Sequence, residues 1–242
     1  LRQLNGRTMT WSELRLSQSP FMVPNMEDPI ESGLTKIALK DCLFPLLFGE
    51  EFVVFKVARE AEDDRLYFHS RAVQSAALCY KTALNFNKLI TDPKNHIRFC
   101  DSAILELQPV VIDVLCADDL HHPLRILAKR GWVWIIERQL TSRQFEKFVS
   151  NSGAILAITS RTPNRTKTER IKATAFAHFS YCESNGEWMA LDIQGGGGVY
   201  TDVEIVTAEN SETSFCAGTW GQNLCATSFE SITAISCAIK HH

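Results

Sequence analysis

Two periods govern the apolar positions of this chain. Glu51-Phe-Val-Val-Phe-Lys-Val-Ala58 is dense in β-branched and aromatic residues and reads as a strand with one lysine inside its apolar run. From about His69 to Leu89, the residues Val73, Ala76, Ala77, Tyr80, Leu84 and Phe86 recur near helical spacing without proline or glycine, which predicts a helix. Ile97 to Cys116 reads as one or two strands around Pro109, and Asp118 to Pro123 as a loop. Gly131 to Leu140 is a second strong strand whose end turns polar abruptly, as strands do beside a cleft between lobes. Asn151-Ser-Gly153 is a turn, Ser160 to Thr168 a basic exposed loop and Ile171 to Ser180 a helix. Glu183 to Glu187 is a hairpin turn leading into a strand from Trp188 to Ile193. The stretch Ala190 to Glu204, ALDIQGGGGVYTDVE, follows at once.

Composition narrows the class. The chain has 242 residues, 45% of them hydrophobic, enough for a sizeable core in one large domain or two small lobes. Its 25 basic and 28 acidic residues are interspersed and leave a net charge of -3, which argues against a general nucleic-acid or membrane surface. No apolar run approaches the roughly 20 residues that a bilayer requires, so no membrane span is expected. The N-terminal stretch lacks the apolar core of a signal peptide. Eight cysteines without a CxxC or a regular spacing favour reduced thiols, and the expected compartment is the cytoplasm. Leu1 in place of methionine suggests an excised fragment with flanking domains outside it.

Several residues carry candidate chemistry. Lys56 lies between Phe55 and Val57, where an ammonium group is costly unless it meets an anion or reaches water from an edge strand. Asp192 and Gln194 are two apart, so at a strand end both side chains point the same way. They form either a pair of oxygen donors for Mg²⁺ or a polar cap on a hairpin. Asp202 returns after the glycines. Glycines 195 to 198 match neither GxGxxG nor GxxxxGK[ST], and read as a flexible link that permits unusual backbone angles.

In their order along the chain, separated pieces resemble one family, the atypical alpha-kinases. Ile30-Glu-Ser-Gly-Leu-Thr-Lys36 is similar to the family's phosphate-proximal turn, with Lys36 where the family usually has arginine. Val54-Phe-Lys56 resembles the strand that carries the ATP-contacting lysine, and Gln74 to Asn87 the N-lobe helix. Glu137-Arg138 resembles the hinge, and Lys147-Phe-Val-Ser-Asn-Ser-Gly153 the KYNSNSG-type segment. Ala175-Phe-Ala-His-Phe-Ser-Tyr181, then Asp192-Ile-Gln194 and Thr201-Asp202, are similar to the element before the metal-binding loop and to that loop itself.

The resemblance implies an α+β, two-lobed protein-kinase-like fold of the alpha-kinase type. The N-lobe would be mainly β with one long helix, to about residue 138, and a mixed C-lobe would run from about 139, in a single catalytic domain over 1–242. It implies an ATP-dependent protein serine/threonine kinase whose partner is a protein substrate. Asp202 and Lys56 take the catalytic roles. Lys56, Gly33, Lys36, Glu137, Lys147 and Asn151 contact ATP, with Glu137 near the adenine, and Asp192 and Gln194 hold Mg²⁺. The family's structural zinc would use His178, fourteen residues before Asp192. The usual downstream HxC falls on Ile232-Thr-Ala234, leaving Cys237 and the terminal histidines as donors at other spacings. The alternative for His178 is a hydrogen-bonded core histidine in a member that has lost zinc. The usual TDP is Thr201-Asp202-Val203 here, and the helix Ser70 to Asn87 holds no carboxylate to pair with Lys56. These departures motivate an alternative function, a weak or inactive alpha-kinase-like scaffold that binds nucleotide.

Overall fold

The computed structural model describes residues 2–5, 10–13, 30–32, 36–43, 51–58, 65–106, 133–140, 145–154 and 158–207. The chain divides into two compact units, 1–73 with 101–139 and 74–100 with 140–242.

The first unit is built on a seven-stranded sheet. Its strands are β1 (Arg2–Asn5), β2 (Thr10–Glu13), β3 (Ile30–Ser32), β4 (Lys36–Leu43), β5 (Phe52–Ala58), β7 (Ser102–Glu106) and β8 (Val133–Arg138), in the order β2-β1-β7-β8-β5-β4-β3. Every pair is antiparallel. The two strands with the densest apolar runs, β5 and β8, lie side by side near its centre, where a strand is covered on both faces and loses its alternation. Val53, Phe55, Val57, Trp134 and Ile136 are buried completely or nearly so, and Phe55 meets the Trp134 ring edge-on at 5.7 Å between centroids.

The helix α1 (Arg65–Lys88) starts four residues before the apolar periodicity and ends where it was expected. Its buried positions in the second unit include Ser75, Ala77, Cys79, Thr82, Ala83 and Phe86, whereas Tyr80 and Leu84 are only partly covered. The second unit adds β6 (Arg98–Phe99), β9 (Glu146–Lys147), α2 (Asn164–Glu183), β10 (Trp188–Leu191), β11 (Gln194–Gly196), β12 (Val199–Thr201) and β13 (Glu204–Thr207).

Helix α2 begins inside the stretch read as a basic loop. Its first half hides from hydrophobic periodicity, because the buried positions there are Thr166 and Glu169, polar residues satisfied by hydrogen bonds; from Ala173 on the buried set is mostly apolar. The helix ends at Ser184, and the chain turns through Asn185 (φ 54°) and Gly186 (φ 83°) into β10. The Ser184 hydroxyl accepts the Trp188 N–H at 3.1 Å, and Ser180 accepts the Ala190 N–H at 2.9 Å, so two serines tie the helix end to the strand that follows it.

Aromatic rings knit this unit together. Phe86 of α1 packs on Phe176 and Phe179 of α2, Phe176 on Phe99, Phe99 on Tyr200, and Tyr200 on Phe148, at centroid separations of 5.0 to 5.8 Å. No helix among the described residues is long and apolar enough to cross a membrane.

Candidate active site

In the first unit two candidate site residues, Lys56 and Glu137, meet across a strand pair. Lys56 stands opposite Ile135, and Val54 opposite Glu137, so Lys56 and Glu137 share a face on the diagonal of β5 and β8. Their side chains form a salt bridge and are each 9% exposed. A buried ammonium is tolerated when a carboxylate neutralises it. Glu137, expected at the adenine, thus supplies the acidic partner of Lys56 that no carboxylate on the helix provides. The signal was present as a polar residue closing an apolar strand, but the pairing depends on how β5 and β8 are aligned. Lys36 opens β4 opposite Ala58; Gly33 lies outside the described residues.

In the second unit the glycine stretch is a hairpin. β10 and β13 form one antiparallel ladder whose last pair is Leu191 with Glu204. β11 and β12 form another, beginning at Gln194 with Thr201. The chain passes from the first ladder to the second at Asp192 and returns after Asp202, and both aspartates have φ 53°. Left-handed backbone is uncommon for residues other than glycine and is tolerated best by Asp and Asn. Ten residues apart in sequence, the two carboxylates therefore come from matching corners of one doubled strand pair, and strained corners of this kind gather at functional sites.

Around the hairpin runs a four-stranded sheet in the order β6-β12-β11-β9. Lys147, Gln194 and Thr201 stand opposite one another in one row, and Glu146, Gly195 and Tyr200 in the next. Side chains of adjacent rows point to opposite faces. On one face Glu146 accepts the Thr166 hydroxyl at 3.1 Å and pairs with Arg170 at 3.5 Å, while the Tyr200 hydroxyl lies 3.3 Å from Glu169 Oε2, all three partners belonging to α2. The other face carries Lys147 and Gln194. The Lys147 ammonium pairs with Asp192, whose side chain is 14% exposed. The segment after Lys147 is fastened to the same corner: Phe148 and Val149 donate their N–H groups to the Ile193 carbonyl at 2.9 and 3.2 Å, and Asp192 donates to the Ser150 carbonyl at 3.3 Å. Asn151 sits exposed in the turn that follows.

The glycines are held more firmly than a flexible link. Gly195 has φ 140°, and a Cβ there would run into the Val199 carbonyl. Gly198 has φ 76°, and a Cβ there would stand 2.9 Å from the His96 carbonyl oxygen.

With this geometry in hand, comparison with known proteins places the chain. The alpha-kinase family matches residues 36–231. The chain belongs to the alpha-kinase family. Myosin heavy chain kinase A of Dictyostelium discoideum is 28% identical over a 173-residue alignment that covers 66% of this chain and 12% of that protein. Myosin heavy chain kinase B of the same organism is 25% identical over 170 residues, 70% of this chain and 18% of that protein. The crystal structure of the alpha-kinase domain of myosin heavy chain kinase A in complex with AMP matches with a TM-score of 0.60 at 19% identity, over 88% of this chain and 86% of that one. That likeness, with the mixture of sheet and helix described above, makes the fold α+β and of the alpha-kinase type.

Of the zinc donors expected from the family resemblance, His178 lies within the described residues. His178, on α2, lies beside the exposed Cys182 one turn later, its ring nitrogens 3.8 Å from the thiol sulfur. Cys182 is a neighbour that the family spacing does not include. No group of three or more metal-ligating side chains forms among the described residues, and Cys237 lies outside them.

Proposed function

We propose that this chain transfers the γ-phosphoryl group of ATP to a serine or threonine hydroxyl of a protein substrate. The observation that carries the reading is the pair of corner aspartates, Asp192 and Asp202, both held in left-handed backbone at the base of one hairpin. Phosphoryl transfer asks for positioning and charge neutralisation more than for covalent help.

Each demand has a residue. Lys56, its ammonium held in place by Glu137, binds phosphate oxygens, and Lys147 offers a second cation. Asp192 and Gln194 would hold Mg²⁺, which would neutralise phosphate charge and orient the nucleotide. Their hard oxygen donors fit that ion, and the Asp192 carboxylate already draws a cation, Lys147, to itself. Asp202 orients the incoming hydroxyl or accepts its proton. Gly33, Lys36 and Asn151 add nucleotide contacts. A bound AMP in the alpha-kinase domain of myosin heavy chain kinase A supports nucleotide as the ligand class. The scaffold alternative loses one of its grounds, because Lys56 has a carboxylate partner.

The test is incorporation of labelled phosphate from ATP and Mg²⁺ into the chain itself and into a basic, threonine-containing protein, beside Asp202→Ala and Lys56→Ala. Incorporation that disappears in both variants supports the kinase. Equal background in all three proteins refutes it.

A further inference from the structure

The hairpin between the corner aspartates has only three residue pairs, Gln194 with Thr201, Gly195 with Tyr200 and Gly196 with Val199. So short a ribbon, with glycine at positions 195 to 198, is a poor support for catalytic groups on its own. Its tip is gripped from two directions. Gly198 donates its N–H to Glu169 Oε2 at 2.9 Å, and its carbonyl accepts the Arg98 N–H at 2.8 Å.

Glu169 comes from the buried face of α2 and is 7% exposed. A carboxylate in such a place is costly unless hydrogen bonds replace its water. The bonds that replace it come largely from the hairpin: the Gly198 N–H, and the Tyr200 hydroxyl at 3.3 Å. Lys172, one turn further along α2, pairs with the other oxygen at 3.4 Å. Burial, together with the charge of Glu169, pushes the Tyr200 phenol well above its ordinary range, so its hydroxyl keeps its proton and remains a donor.

We propose that Glu169 is a positioning residue of the phosphoryl-transfer site. By holding the Gly198 amide and the Tyr200 hydroxyl, it fixes the hairpin tip against α2. It thereby fixes the angle at which the two strands enter the corners at Asp192 and Asp202. This role rests on the reading of those aspartates given above. Glu169 acts through the hairpin that it holds, by way of the Gly198 amide and the Tyr200 hydroxyl.

Glu169→Ala, Glu169→Gln and Tyr200→Phe are compared with the unaltered chain by two measurements. The first is amide hydrogen exchange of 196–200 against that of the neighbouring strand, 188–191. Losing a hydrogen bond to a charged group should raise exchange at 196–200 about tenfold or more in Glu169→Ala while 188–191 stays protected. Glutamine, whose amide keeps an oxygen for Gly198 and a polar group for Tyr200, should restore most of the protection, and Tyr200→Phe should fall between. The second measurement is steady-state transfer, where Glu169→Ala should lower kcat about tenfold or more with KM for ATP within about twofold, and Glu169→Gln should recover it.

Unchanged exchange at 196–200, or an equal rise in 188–191, overturns the anchor. Raised local exchange with kcat unaltered overturns the positioning role. An unaltered chain without transfer activity refutes the kinase reading and the role that depends on it, while the exchange result still decides the anchor.

Discussion

Lys56 and Glu137 join in a buried salt bridge across the diagonal of two central strands. Breaking a buried pair leaves one charge uncompensated, whereas replacing both partners with apolar groups is often neutral. Glu137→Ala should therefore lower the stability of the chain by about 3 to 5 kcal/mol. The double variant Lys56→Met/Glu137→Leu should recover most of that loss in urea denaturation, yet transfer no phosphate.

Asp202 separates backbone need from chemical need. Asn accepts left-handed backbone nearly as well as Asp, so Asp202→Asn should keep the denaturation midpoint close to that of the unaltered chain. Transfer should fall by about 10² to 10⁴ if the carboxylate orients or deprotonates the hydroxyl. Asp202→Val tests the other half: at φ 53° a β-branched side chain should cost about 1 to 2 kcal/mol of stability.

The glycines should differ in their tolerance. At Gly197 an added Cβ meets only Arg165 Nη2, at 3.6 Å, so Gly197→Ala carries little beyond the cost of φ 66°, about 1 to 2 kcal/mol. At Gly195 and Gly198 the added atom meets backbone carbonyls that cannot swing aside. Alanine at either should cost clearly more in stability than at Gly197, and should abolish transfer. Equal losses at all three positions would refute the hairpin packing.

Tyr200 predicts an alkaline effect. Because its folded-state pKa lies above the ordinary value of 10.0, folding favours the protonated phenol. Its contribution is complete below about pH 10 and is lost as the pH rises further, when the unfolded chain ionises first. Tyr200→Phe should flatten the fall in stability above that pH, as measured by urea midpoints between pH 8 and 11.

The described thiols should divide by exposure. Cys42, Cys79 and Cys100 are buried, and desolvation raises the Cys79 thiol far beyond the range in which it ionises in neutral water. Cys182 is exposed. Brief alkylation at pH 8 should label Cys182 and spare these three until denaturant is added, as peptide mass mapping would record.

The legible parts of this chain were those whose side chains contradict their neighbours. Lys56 stood out because an ammonium interrupts an apolar strand, and Asp192 and Gln194 because spacing two on a strand would give them one face, although Asp192 stands at a left-handed corner between β10 and β11. Glu137 was visible as a residue, but its partner was not, since that pairing depends on which rung of β8 faces which rung of β5. Glu169 was hidden altogether. Its surroundings, Asn164 to Lys172, are so rich in charge that they resemble solvated loop, and only the tertiary fold shows that the carboxylate points inward to the hairpin. The glycines misled in the opposite direction, because permissive residues in a row suggest freedom where close approach of carbonyls demands them.

The doubled ladder also makes the spacing between Asp192 and Asp202 a fixed ruler. Adding one residue on either arm would reverse the parity of everything beyond it, turning Gln194 inward or Tyr200 outward. Adding one to each arm would keep the cross-strand pairs, but would still turn the faces of the hairpin over and push the tip a full rung past the carboxylate and the amide that grip it. Substitutions outside the two aspartates and the tightly packed glycines leave this spacing intact, whereas any insertion changes it, so length is the quantity to leave untouched.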